Sequence, residues 1–253
     1  IPFVCDKHIK SIDIFDPRFS LPIEKCVGKR VVTINRKGKF LFFEFFDGSS
    51  LLAHLGMTGH FSCTTSRENF PHQRILFTLS EGYLIYCDQR KFGRFRYLEP
   101  EQKNQCLCEL GVDPLSREYT FDLWNALLSP RKEKIKSFLM NQKYISGIGN
   151  IYASEILFRS GIHPEKRVDV LTEQEQKDLF RVIPEVLNQA ICFEGTTIRD
   201  YQHSDGTTGS FQDELLVYGK EGELCPVCGT PLERIKISSR STYFCPVCQN
   251  IKK

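Results

Sequence analysis

Two cysteine pairs, Cys225-Pro-Val-Cys228 and Cys245-Pro-Val-Cys248, are separated by the sixteen residues 229–244, and no other feature restricts the fold as much. Two thiols three positions apart at a tight knuckle span one edge of a tetrahedral ion, and two such pairs close it. The intervening length suits a two-stranded hairpin. The spacing therefore predicts a zinc ribbon with one structural Zn2+ per chain. Four thiolates leave no open coordination position, which argues for a structural metal and against a catalytic one. Eleven cysteines are present in all, and the other seven (Cys5, Cys26, Cys63, Cys87, Cys106, Cys108 and Cys192) show no framework. That usage fits a reducing cytosol and not a disulfide scaffold. No apolar run approaches membrane-spanning length and no signal peptide opens the chain, so a cytoplasmic protein without a membrane partner is expected.

A second constraint lies in RKEKIKSFLMNQKYISGIGNIYASE, Arg131 to Glu155. Ile135, Phe138 and Leu139 share a face at helical spacing while Arg131, Lys132, Lys134 and Lys136 carry charge, which predicts a short amphipathic helix with a wet, positive side. Ile145-Ser-Gly-Ile-Gly149 is too glycine-rich for a helix interior, and helical periodicity resumes at Asn150. Gly147 and Gly149 allow close backbone approach to a partner. The unpaired N–H groups of the helix beginning at Asn150 offer an anion site. Alone, the same pattern also fits an ordinary helix-turn-helix corner without a ligand.

Upstream, Val31–Ile34, Phe40–Phe46, Leu51–His54, Arg74–Leu79 and Tyr83–Cys87 are β-rich runs with turn signals between them, which predicts antiparallel strands in a sandwich or flattened barrel. Leu98–Glu118 is polar with little sustained pattern and reads as a linker. Thr120 caps a helix through Leu128, and Thr172 with Glu175 forms a capping box for a long helix through Ile191 in which Pro184 should introduce a kink. The chain is thus expected to be α+β with two domains. A β-sandwich domain (1–112) is followed by a helical part (113–220) that carries a zinc finger (221–253). Net charge is only +3 over 253 residues. The basic residues are bunched around Arg36–Lys39, Arg90–Arg96, Arg131–Lys136 and Arg234–Arg240, which favours a polyanionic partner more than the net charge does.

Taken together, Lys136–Glu155, HLGMTG (His54–Gly59), DQRKFG (Asp88–Gly93), EGTTIRDY (Glu194–Tyr201), SFQDELLVYGKEGELC (Ser210–Cys225) and the cysteine pairs occur in the order found in the formamidopyrimidine-DNA glycosylase and endonuclease VIII family, which the chain closely resembles. The resemblance implies a monomeric base-excision repair enzyme. Such an enzyme flips an oxidised purine (8-oxoguanine or a formamidopyrimidine) from damaged duplex DNA, removes it, and cleaves the strand by β,δ-elimination. It implies that Lys39 assists elimination and that Arg240, near the turn of the zinc hairpin, reaches the lesion's phosphate. Lys136, Gly149 and Asn150 become phosphate ligands, and Arg74 stands where the family has a DNA-contacting histidine. Met57, Arg90 and Phe92 become wedges filling the gap left by the flipped nucleotide. Without the resemblance, Lys39 and Arg240 read as surface cations, and Met57 and Phe92 as core. Gln202–Gly209 reads as a plain surface loop; in the family it closes over the flipped base.

The family opens with Pro-Glu-Leu-Pro-Glu, whose proline amine is the nucleophile, whereas this sequence opens Ile1-Pro2-Phe3-Val4. Pro2 has an amide nitrogen and cannot substitute. The expectation from this comparison is that the N-terminal catalytic segment is absent from these residues. The chain is then either part of an active enzyme or a non-catalytic zinc-ribbon DNA-binding relative.

Overall fold

The computed structural model describes residues 2–19, 22–196 and 209–250. Most of the EGTTIRDY motif and of the Gln202–Gly209 loop lies outside the described residues. The chain divides into two compact units, residues 1–109 with 196–209, and residues 110–195 with 210–253.

The first unit contains β1 (Ile9–Ile14), β2 (Val31–Lys37), β3 (Phe40–Phe45), β4 (Ser50–His54), β5 (His60–Thr64), β6 (Gln73–Leu79), β7 (Tyr83–Cys87) and β8 (Arg94–Leu98). They form two four-stranded antiparallel sheets, ordered β1-β6-β7-β5 and β2-β3-β4-β8. Strand alternation sends Phe43 and Phe45 of β3, Leu51 and Ala53 of β4, and Phe95 and Tyr97 of β8 into one core with Ile75, Phe77 and Tyr86 of the other sheet. Edge-to-face contacts join Phe19, Phe61, Tyr86 and Phe95 in that core. The expected sandwich is present. The strands β1, β5 and β8 go beyond the sequence expectation, although β8 (RFRYL) alternates exposed Arg94 and Arg96 with buried Phe95 and Tyr97.

The supposed linker is substantially structured. Residues Pro100–Glu109 form α1, which has no buried residue and so carries no apolar stripe for periodicity to reveal. Polar contacts tie it to the sheet: Lys103 pairs with Glu44 at 2.8 Å, and Lys37 Nζ donates to the Leu107 carbonyl at 3.1 Å.

The second unit contains α2 (Phe121–Leu128), α3 (Ile135–Leu139), α4 (Asn150–Arg159), α5 (Glu173–Cys192), β9 (Glu233–Ile237) and β10 (Arg240–Phe244). Thr120 caps α2, and Thr172 with Glu175 makes the expected capping box on α5, which continues through Pro184. Trp124, Phe138, Leu139, Ile145, Ile148, Ile156, Leu179, Ile183 and Phe211 share one core. No helix among the described residues is long and apolar enough to cross a membrane.

Candidate nucleic-acid interface and metal centre

Between α3 and α4 the chain makes a compact corner organised by Gln142. Its amide nitrogen donates to the carbonyls of Met140 and Ile148 at 3.0 and 2.9 Å, and its Oε1 accepts the Gly147 N–H at 2.9 Å. Gly147 sits at φ +102°, in the region that favours glycine. Gly149 is the N-cap of α4 and supplies no side-chain cap, so the first-turn N–H groups of that helix keep their capacity for an anion. Sequence reasoning misses Gln142, because a polar residue just after a short helix carries no distinctive signal.

Asn150, the first residue of α4, donates through Nδ2 to the Ser241 carbonyl at 2.9 Å and to the Tyr218 hydroxyl at 3.4 Å. Lys136 donates to the same Ser241 carbonyl at 3.1 Å and to Thr242 Oγ1 at 2.6 Å. The helical corner and the β9-β10 hairpin are thereby joined through one carbonyl. Its neighbour Arg240 is exposed and follows a two-residue turn in which Ser238 and Ser239 both take positive φ, the geometry that matches strand twist in a tight hairpin.

The wet, positive helix face is a correction. Helix α3 has only five residues, Arg131, Lys132 and Lys134 precede it, and Lys136 is 1% exposed. Burial, then repulsion from Arg240, pulls the Lys136 ammonium down to about 7. Between that value and the ordinary lysine range near 10.4, the unfolded chain holds a proton that the folded chain does not. Stability therefore rises with pH across this window, and below it the two states are protonated alike. Urea midpoints should increase from about pH 7 to 9, and Lys136→Met should remove that portion of the slope. An identical slope in the variant would contradict the assignment.

The bunched basic residues likewise have varied fates. Lys91 pairs with Asp16, Arg234 with Glu221 and Lys134 with Glu165, while Arg131 lies 3.8 Å from the Tyr144 ring centre. In the first unit, Lys39 is exposed in the two-residue turn before β3, not within the strand. It lies close enough to His54 to help depress that imidazole's pKa, after the larger effect of burial. Met57 and Phe92, whose ordinary reading is core, are 62% and 52% exposed. The Arg90 guanidinium lies 4.8 Å from the Phe92 ring centre. Arg74 donates through Nε to the Asp88 carbonyl at 2.9 Å.

The four sulfurs of Cys225, Cys228, Cys245 and Cys248 lie within 4.8 Å of one another. The Cys225–Cys248 and Cys228–Cys245 separations are 3.9 and 3.5 Å, bracketing the ~3.8 Å edge of a tetrahedron with 2.3 Å Zn–S bonds. The donor set fits one closed-shell, structural zinc. All the cysteines are free of disulfides.

Three family models match successive parts of the chain. They are the formamidopyrimidine-DNA glycosylase N-terminal domain over residues 2–95, the formamidopyrimidine-DNA glycosylase H2TH domain over residues 110–202, and the zinc finger found in FPG and IleRS over residues 222–251. The chain belongs to the formamidopyrimidine-DNA glycosylase family. A formamidopyrimidine-DNA glycosylase of Desulfitobacterium hafniense is 42% identical over 225 residues, covering 88% of this chain and 82% of that protein. The crystal structure of the MutM (Fpg) protein from Thermus thermophilus matches with a TM-score of 0.88 and 37% identity, covering 98% of this chain and 93% of the other. A Lactococcus lactis Fpg mutant in complex with DNA containing Fapy-dG matches with a TM-score of 0.89 and 35% identity, covering 98% and 94%.

These matches confirm the α+β architecture and the glycosylase-family zinc finger, which carries one structural zinc. They also correct one expectation. The family's N-terminal domain is matched from residue 2 onward, so the N-terminal segment is not absent, and the non-catalytic DNA-binding alternative drawn from its absence is not favoured. The expectation rests on comparing Ile1-Pro2-Phe3-Val4 with a short terminal motif, whereas the domain match rests on the whole sandwich.

Proposed function

We propose that this chain is a bifunctional DNA glycosylase and AP lyase that removes oxidised purines, 8-oxoguanine and formamidopyrimidines, from duplex DNA and cleaves the strand by β,δ-elimination. It would act as a monomer in the bacterial cytoplasm, at the nucleoid. Family membership supports the reaction class. The Lactococcus lactis relative bound to Fapy-dG DNA supports the lesion class. The observation that carries the reading is the exposure of Met57 and Phe92 beside Arg90. Large apolar side chains held in water are suited to enter a base stack, where they replace the contacts a flipped nucleotide gives up.

In this reading, an amine attacks C1′ of the lesion sugar and the C–N bond to the base breaks; the C1′–O4′ bond then opens, O4′ takes up a proton, and an iminium is left at C1′. Loss of a C2′ proton then expels the 3′ phosphate, and a second elimination expels the 5′ phosphate. Lys39 acts mainly in base release and contributes only weakly to elimination, while Arg240 holds the lesion's phosphate. The amides following Gly149, together with Asn150, take a backbone phosphate. Lys136 braces the hairpin beneath them through the Ser241 carbonyl and Thr242 Oγ1, and Arg74 serves a second phosphate. The zinc holds the hairpin and takes no part in the chemistry.

Lys39→Ala should lower oxidised-purine excision by about a hundredfold or more, the range of a lost proton-transfer group, while cleavage at a preformed abasic site changes only a few-fold. Single-turnover assays on the two substrates measure the split. Equal losses on both would remove Lys39 from base release.

A further inference from the structure

Met57 lies on the 54–59 segment and Arg90 with Phe92 on the 88–93 segment, and one buried carboxylate reaches both. Asp88 is fully buried. Its Oδ1 accepts the Thr58 hydroxyl at 2.5 Å, and its Oδ2 accepts the Gly93 N–H at 2.8 Å and the Tyr86 hydroxyl at 3.1 Å. Thr58 Oγ1 in turn accepts the Arg90 N–H at 3.0 Å. The result is a directed relay in which the Arg90 amide donates to the Thr58 hydroxyl and that hydroxyl donates to the carboxylate. Each member fixes the polarity of the next. The Asp88 carbonyl receives Arg74 from β6, so the same residue also anchors a third element.

Packing adds to the hydrogen bonds. A Cβ on Gly56 would lie 2.7 Å from the Phe92 carbonyl carbon, so the two segments touch backbone to backbone. A Cβ on Gly93 would lie 1.7 Å from the Tyr86 hydroxyl oxygen, and one on Gly59 would lie 2.3 Å from it. Outside this junction, Lys91 is held by Asp16 at 2.8 Å. The exposed tips of Met57, Arg90 and Phe92 therefore stand on a base whose internal polar groups are paired.

We propose that Asp88, acting through the Thr58 hydroxyl, is the positioning residue that locks the two wedge-bearing segments into a single preorganised element. The inference rests on the reading of Met57, Arg90 and Phe92 as wedges. A wedge on a floppy segment would spend part of its stacking energy on ordering that segment, whereas a preordered one applies it to holding the duplex open.

The test compares kcat/KM for an oxidised guanine paired with cytosine against the same lesion opposite a one-nucleotide gap, where little stacking has to be replaced. Asp88→Asn places an amide NH2 against the Gly93 or Thr58 donors. Thr58→Val deletes the relay at nearly constant shape, and Thr58→Ser retains it. We expect Asp88→Asn and Thr58→Val to lose about tenfold to a hundredfold on the paired lesion and only a few-fold on the gapped one, with Thr58→Ser close to wild type. Met57→Ala should show the same substrate split. If Met57→Ala shows the split while Thr58→Val loses equally on both substrates, or loses nothing, the positioning role is overturned and the wedge reading stands. If Met57→Ala shows no split, the wedge reading itself fails, and the inference fails with it. The Thr58 pair decides the matter should Asp88→Asn not fold.

Discussion

Stripping the metal, or replacing Cys245 with serine, is expected to unfold the hairpin carried by residues 222–250 and abolish tight binding to lesion DNA. Apparent zinc affinities in small four-ligand sites correspond to roughly 10–16 kcal/mol, far more than a two-stranded hairpin could otherwise supply. The local apolar cluster is small: Phe158, Val217, Cys225, Leu232 and Cys245. Two of its members are metal ligands, so losing the ion also opens the cluster. Arg240 and the Ser241 carbonyl that accepts from Lys136 and Asn150 would lose their fixed positions. Charge-assisted hydrogen bonds contribute about 1.5–3 kcal/mol each, so losing two phosphate contacts should weaken duplex binding by about a hundredfold or more. Metal analysis and a binding titration on Cys245→Ser measure both effects. Undiminished affinity in zinc-free protein would contradict the structural role.

Glu155→Leu should destabilise the second unit by on the order of 3–5 kcal/mol, because three backbone donors lose a buried acceptor and each such loss costs about 1–3 kcal/mol. The carboxylate is fully buried on α4. Its Oε2 accepts the Leu216 N–H at 2.9 Å, and its Oε1 accepts those of Val217 and Tyr218 at 3.0 and 2.9 Å. A leucine matches the volume but leaves three backbone donors without an acceptor. The segment also carries the Tyr218 hydroxyl that meets Asn150, and its ring packs edge-on against Tyr243 of β10. Disorder there should spread to the anion site. Glu155→Gln should fall between the two, because its amide oxygen can still serve Val217 and Tyr218 while its NH2 opposes the Leu216 N–H. Urea denaturation orders the three proteins, and a Glu155→Leu variant as stable as wild type would show that the segment is held by other means.

How far the sequence can be read depends on how local each cause is. The cysteine pairs, the glycine corner and the Thr172 capping box are set by residues close together in the chain, and each appears where it is expected. Lys136 cannot be placed that way. Its hairpin partners, Ser241 and Thr242, are 105 and 106 positions away, and charge patterning sends a lysine to water by default. Helix α1 escapes notice because its apolar residues, Cys106, Leu107 and Cys108, are consecutive and trace no stripe, and β8 because the arginines and lysine around it suggest a binding loop before a strand. Met57 and Phe92 show the opposite limit. Hydrophobicity assigns them to the core, and only the family motifs suggest that they stand in solvent. In the sequence Asp88 is no more than the first letter of DQRKFG; Tyr86 lies two positions before it in β7, but its partner Thr58 is 30 positions away.

The most direct test uses a duplex with a single 8-oxoguanine paired with cytosine and labelled at its 5′ end, incubated with the protein and run on a denaturing gel, with borohydride added to a parallel sample. Lesion-dependent cleavage to a product ending in a 3′ phosphate is expected, together with a borohydride-stabilised protein–DNA adduct, since one iminium intermediate serves both base removal and strand scission. A lesion strand that is bound tightly yet remains intact, with no adduct, would contradict it.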